Sequence, residues 1–274
     1  MMTQVKITYV WHDCFLVETP EAALVFDFWT DPLASPYAMP QALAALRRDL
    51  PLYVFVSHGH KDHYNPAVFA WASEFADVRY IVSRDVEKRT RHITGSGAAY
   101  SGPRIAPEAM IPLRPGQSWR DARIEVRACG STDIGNSYLV TLGAHTFFHA
   151  GDLNAWVWKD ESTDQEIRKA MGDYRAALRD IPHVPIDYCF FPVDSRIGRD
   201  YWEGASIFVR EFEVGCFFPM HFSLGDDEER RIRLRDALRF DLYANPARGL
   251  YVPLAIPGSS FLDNGPAASN TSTR

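Results

Sequence analysis

Residues 53–63 read Y-V-F-V-S-H-G-H-K-D-H, an apolar run that ends in His58, His60, Asp62 and His63. Three imidazoles and one carboxylate within six residues offer nitrogen and oxygen ligands suited to zinc or another first-row metal. The set constrains the fold, because such a site needs a rigid frame that brings ligands from distant segments to one strand tip. In extended backbone, residues two apart point to the same side, so His58 and His60 can converge on one ion. A turn after His60 aims Asp62 and His63 at a second position nearby.

Two further segments fit that requirement. His149-Ala150-Gly151-Asp152 closes a strand-like run, and Gly151 lets the backbone turn so that Asp152 sits at the tip. Pro219-Met220-His221-Phe222 follows another apolar run and puts His221 at a third tip. Strands are expected at 5–10, 14–18, 23–28, 53–57, 79–82, 123–129, 137–142, 145–150, 188–193, 216–219 and 250–254. Helices are expected at 41–50, 66–75, 85–91, 165–180 and 228–240. Residues 94–115, rich in Gly, Pro and Ser, read as irregular. The pattern fits an α/β protein with two packed sheets and helices outside, as a single domain over residues 1–262. Residues 263–274 read as a disordered tail.

Composition narrows the function. The 274 residues suffice for a sizeable core, and a formal charge of −6 argues against a nucleic-acid surface. Cys14, Cys129, Cys189 and Cys216 are far apart and form no C-x-x-C pair, so they read as buried free thiols of a reducing compartment. No signal peptide or membrane span is expected, and the expected location is cytoplasmic. The expected partner is a small-molecule substrate, with no nucleic acid or membrane; the sequence is silent on oligomeric state.

In their order, V-S-H-G-H-K-D-H, H-A-G-D and F-P-M-H resemble the metallo-β-lactamase-fold hydrolases, over about residues 5–255. An upstream D-F-W-T-D-P, with Asp27 at a strand end, also fits. The opening V-W-H-D-C-F-L-V-E-T, followed by V-F-D, resembles the branch containing ascorbate-6-phosphate lactonase. The resemblance implies a four-layer αβ/βα sandwich with its site along one edge between the sheets. It implies that His58 and His60 bind a first metal, that Asp62, His63 and His221 bind a second, and that Asp152 bridges. One or two divalent ions are implied, zinc foremost, with manganese or iron as alternatives.

The chain departs from the family at one place. A further histidine of the first metal usually lies in a G-H-T-type stretch; here the stretch is Gly130-Ser131-Thr132-Asp133, with Ser131 in the histidine's place and Asp133 close by. Other residues are candidates for supporting roles. His149 falls on the opposite side of its strand from Asp152 and reads as a packing or supporting residue. His12 can hydrogen-bond a ligand loop or Asp27. Asn154 and Trp156 can wall a pocket, and Arg196 can hold a carboxylate or phosphate through two hydrogen bonds. Cys14 lies in apolar surroundings and is a poor nucleophile.

The expected function is a metal-dependent hydrolase that presents a metal-bound hydroxide to a lactone, ester or phosphoester, and the branch resemblance implies a small, anionic one. Asp62 is the catalytic candidate, orienting the attacking group or accepting its proton. The alternatives are an iron-dependent redox enzyme on the same fold, or a non-catalytic metal-binding protein. Against the redox reading, His60 stands where diiron members commonly carry Glu.

Overall fold

The computed structural model describes residues 4–30, 39–95, 100–198, 200–221, 250–251, 254 and 257–264. The first half runs β1 (Val5–Trp11), β2 (Cys14–Glu18), β3 (Ala23–Phe26), α1 (Met39–Ala45), β4 (Leu52–Val56), a 3-10 helix (Pro66–Ser73), β5 (Val78–Ser83), α2 (Arg84–Thr94) and β6 (Met110–Leu113). The second half runs β7 (Ser118–Arg120), β8 (Ile124–Cys129), β9 (Ser137–Leu142), β10 (His145–His149), α3 (Asp164–Arg179), β11 (Ile186–Pro192), α4 (Glu203–Glu211), β12 (Val214–Met220), β13 (Leu250–Tyr251) and β14 (Ser260–Asp263).

Strand order is β14-β1-β2-β3-β4-β5-β6 in one seven-stranded sheet and β13-β12-β11-β10-β9-β8-β7 in the other. In each sheet an antiparallel portion passes into a parallel one, at β3/β4 and at β10/β11. The parallel strands are buried on both faces, which is why β4 reads L-Y-V-F-V without a polar residue. Its pleat still sorts the side chains. Tyr53 and Phe55 join the core between the sheets, whereas Leu52, Val54 and Val56 face the helices outside.

Aromatic contacts knit the inner layer across the sheets, with Phe15 and Phe190 centroids 4.6 Å apart and Phe26 and Phe190 5.6 Å apart. On the outer face of the first sheet, α2 buries Val86, Thr90 and Ile93, one stripe at helical spacing. On the second, Phe208 of α4 stacks on Phe148 at 5.0 Å. The result is the expected four-layer αβ/βα sandwich. Among the described residues no helix is long and apolar enough to cross a membrane.

Several elements differ from the sequence reading. Residues 94–115 contain β6, whose Ile111 and Leu113 point into the core while Pro112 is tolerated because the strand lies at the sheet edge. The expected helix 66–75 is a 3-10 helix, and α1 ends at Ala45. Strand β3 stops at Phe26, because Asp27 has φ 42° and leaves the extended region. Helix α4 was not expected; the weak helix formers Gly204 and Ser206 hide it, and both are buried. Residue 263, assigned to a tail, ends β14 and pairs with Val5. The expected helix 228–240 and tail residues 265–274 lie outside the described residues, as do residues 252–253 of the last expected strand.

Candidate metal centre

The carboxyl ends of β3, β4, β10, β11 and β12 meet at one edge between the sheets, and the tight turn of the β1–β2 hairpin reaches the same place. Ends of parallel strands are where α/β sheets commonly hold ligands. Three non-glycine residues among those described have positive φ: His12 (54°), Asp27 (42°) and His221 (63°). All three lie here. Backbone strain of this kind persists where surrounding structure enforces it, and it clusters at functional sites.

Three groups of donor atoms each lie within 4.8 Å of one another, at two positions. The first is His58, His60, Asp133 and Asp152; the second position is surrounded by His12, Asp62, His63 and His221 and by Asp13, His63, Asp152 and His221. Asp152 joins them. Its Oδ2 lies 3.3 Å from His58 Nε2, and its Oδ1 lies 3.1 Å from both His63 Nε2 and His221 Nε2. His58 Nε2 and His60 Nδ1 are 3.0 Å apart, and His60 Nδ1 and Asp133 Oδ2 3.4 Å. Ligands around a tetrahedral zinc at its usual bond lengths are separated by about 3.3 Å. Several of the facing atoms have no hydrogen-bond partner although they are buried: His63 Nε2, Asp152 Oδ1, both His12 nitrogens and both Asp13 oxygens. Buried polar atoms are nearly always satisfied, so this concentration of orphans fits a site built around cations.

Three of the histidines are aimed by a partner on the other ring nitrogen. His63 Nδ1 donates to Asp27 Oδ2 at 2.9 Å, and His221 Nδ1 to Asp194 Oδ2 at 2.9 Å. The Ser57 hydroxyl gives its hydrogen to Asp27 Oδ2, so it accepts from His58 Nδ1 at 3.0 Å. Ser57 N–H also donates to Asp27 Oδ1 at 2.7 Å. Such partners fix tautomer and ring direction in metal sites. Here they leave the Nε2 atoms of His58, His63 and His221 facing inward.

Charge follows the geometry. Burial disfavours ionised Asp152, yet His63 and His221 beside it hold its carboxyl well below the usual range. Burial likewise opposes charge on His221, but Asp13 and Asp152 raise it to about 10. His12 is driven down to about 3 by burial and by neighbouring His221. Asp13 goes the other way, pushed up to about 8 by burial against the pull of His221 and His63. These carboxylates and imidazoles are in mutual tension that a bound cation would relieve.

The structure therefore brings together His58, His60, Asp62, His63, Asp152 and His221. Asp133 joins His60. Ser131 does not reach the donor atoms; its hydroxyl accepts from Asp133 N–H at 3.2 Å and shapes the loop. His12 meets Asp62, at 3.5 Å, and His221 rather than Asp27. His149 stacks on Phe26, with its Nε2 donating to the Asp13 carbonyl at 2.9 Å. Asn154 and Trp156 line a cavity of about 200 Å³ with Thr132, Glu166 and Lys169, and Trp156 Nε1 donates to the Asp152 carbonyl.

Arg196 requires a correction. Its Nε and Nη2 are spent on Asp194, so the two-bond clasp expected for a substrate anion instead secures the carboxylate that aims His221. Sequence reasoning passed over Asp13 and the aiming role of Asp194. Asp13 did carry a signal, a second polar residue beside His12 in a two-residue turn between apolar strands.

Burial raises the thiols of Cys14 and Cys189 well above their usual range, which removes both as nucleophiles. The four cysteines are free, three of them buried and Cys216 half-buried.

The profile of the Beta-lactamase superfamily domain matches residues 6–166. A UPF0173 metal-dependent hydrolase of Desulforamulus reducens is 29% identical over 155 residues, 54% of this chain and 61% of the relative. Another, from Ignicoccus hospitalis, is 32% identical over 119 residues, 42% of this chain and 49% of the relative. The chain thus matches between about half and three-fifths of the length of these relatives. Among solved structures, a metallo hydrolase from Ignicoccus hospitalis superposes with a TM-score of 0.60 at 15% identity, covering 95% of this chain and 99% of that one. CmlA, a diiron beta-hydroxylase from Streptomyces venezuelae, superposes with a TM-score of 0.54 at 13% identity, covering 96% of this chain and 54% of that one. Both show a common fold.

Proposed function

The chain belongs to the beta-lactamase superfamily, and on that premise we propose that it is a metal-dependent hydrolase of small lactones, esters or phosphoesters. The observation that carries the reading is Asp152, whose two carboxylate oxygens face two separate groups of histidines. The names of the UPF0173 relatives support the reaction class.

His58, His60, Asp133 and Asp152 would hold one divalent ion, and Asp62, His63, Asp152 and His221 the other. Zinc suits the histidines; a carboxylate at Asp133 in place of an imidazole brings manganese or iron within range. When bound, such a pair polarises a substrate oxygen and lowers the pKa of water towards neutrality.

The chain's own residues supply the rest. Asp62 is held well below the usual carboxylate range, because contacts with His12 and charge on His63 outweigh its partial burial. It therefore stays ionised, and with its side chain 28% exposed it can accept a proton from the attacking group. Trp156, 5.3 Å from His221 between ring centroids, forms the wall between the centre and the cavity. The preference for an anionic substrate rests on the opening motif alone, because the Arg196 guanidinium is committed to Asp194.

The test is a panel of generic lactones, carboxylic esters and phosphodiesters offered to chelator-treated protein, with and without restored zinc, manganese or iron. Turnover that needs the metal is expected. Oxygen consumption with a reductant and no hydrolysis would favour the redox alternative, which the diiron neighbour's fold makes worth measuring.

A further inference from the structure

Asp13 occupies the second position of the β1–β2 turn, between Trp11 and Cys14, which pair across the hairpin. Its side chain is fully buried, and neither oxygen has a hydrogen-bond partner. The nearest cationic group is His63, whose Nδ1 is 3.5 Å away. That nitrogen carries one hydrogen, and Asp27 takes it at 2.9 Å. Asp13 is left with no hydrogen bond to accept. A carboxyl buried without water or hydrogen bonds ionises only beside a compensating cation. A donor atom of Asp13 lies within 4.8 Å of those of His63, Asp152 and His221. Its main chain is fastened as well, since the Asp13 carbonyl accepts from His149 Nε2. The carboxylate is thus held at the wall of the second metal position.

We propose that Asp13 is a ligand of the second metal ion, giving that position a carboxylate beyond Asp62 and Asp152. The inference rests on the metal-centre reading above. It extends that reading by a charge count: Asp13, Asp62, Asp133 and Asp152 are four carboxylates in donor range, enough to balance two divalent ions. A centre balanced in this way favours oxygen-preferring cations more than a histidine-rich one does.

The experiment compares full-length wild type, Asp13→Asn and Asp13→Ser, each stripped of metal and titrated with Zn²⁺ and, separately, Co²⁺. Ion stoichiometry, thermal midpoint and the visible absorption of the cobalt form are read. The expected result is an unchanged or higher midpoint without metal and a smaller metal-induced rise. One of the two ions should bind more weakly, on the order of tenfold or more, and the cobalt spectrum should change. Asp13→Ser serves the same purpose if the Asn variant does not fold. An unchanged cobalt spectrum at saturation, or a midpoint lowered equally with and without metal, overturns the assignment. Failure of wild type itself to bind ions overturns the metal-centre reading as well, so the two failures are distinguishable.

Discussion

Asp62 and Asp27 are both aspartates of this centre, yet their substitution is expected to do different things. Asp62 is partly exposed and its contact with His12 is a long one, at 3.5 Å, so Asp62→Asn should leave the thermal midpoint nearly unchanged. Its kcat should fall on the order of 10²-fold or more, as for loss of a general base. Unaltered kcat would remove Asp62 from the mechanism. Asp27 is buried and accepts from Ser57 N, Ser57 Oγ and His63 Nδ1. Asp27→Ala orphans those donors and should cost about 3–5 kcal/mol in denaturant unfolding, together with metal affinity. Asp133→Ala should weaken the ion at His58 and His60 without a stability loss, because Asp133 is exposed; equal affinity in a metal titration would show that Asp133 is no ligand. The candidate ligands were legible in the sequence because they fall in compact motifs at strand ends. Ser57, Asp27 and Asp194 were less so, because what makes them matter is a neighbour from another strand.

At the level of elements, two glycines set how closely the second sheet's loops approach the first sheet's histidines. Gly135 has φ +86°, and a Cβ there would lie 2.1 Å from the Ser57 carbonyl and 2.6 Å from His58 Cβ. Gly151 has φ +52°, and its Cβ would come within 2.8 Å of Ser57 Cβ. Gly135→Ala therefore has to displace backbone at the first metal position. It should lower zinc affinity and unfold at lower denaturant than wild type, by more than the roughly 1 kcal/mol typical of a single substitution. Retained affinity would mean that the loops move independently of the ligands. The turning role of Gly151 could be read in the sequence, because it stands between a strand and a candidate ligand. The strands that carry the candidate ligands were also readable, since their apolar runs are continuous. Strand β6 with its Pro112, three-residue β7 and helix α4 were not, because each depends on an edge position or on a packing partner that propensity does not report.

On the proposed reading the apolar cores of the two sheets hold without ions, while their shared edge carries buried unsatisfied polar atoms that ions would satisfy. Metal should therefore act as a stabilising ligand rather than a folding requirement. At free ion a hundredfold above Kd, linkage gives about 2.7 kcal/mol, a rise of roughly 5–10 °C in Tm for a chain of this size. Loss of all cooperative unfolding on chelation would contradict that picture. The sandwich and its ligand-bearing edge were legible in the sequence, whereas the place of β14 beside β1 was not, because four polar-flanked residues far along the chain give no periodic signal. The most direct test of the central claim is a count of ions bound per chain when metal-free protein is titrated with zinc. The account predicts two, with one lost in His58→Ala, the other in His221→Ala, and both weakened in Asp152→Ala. No bound ion in wild type, or full binding in the Asp152→Ala chain, would contradict it.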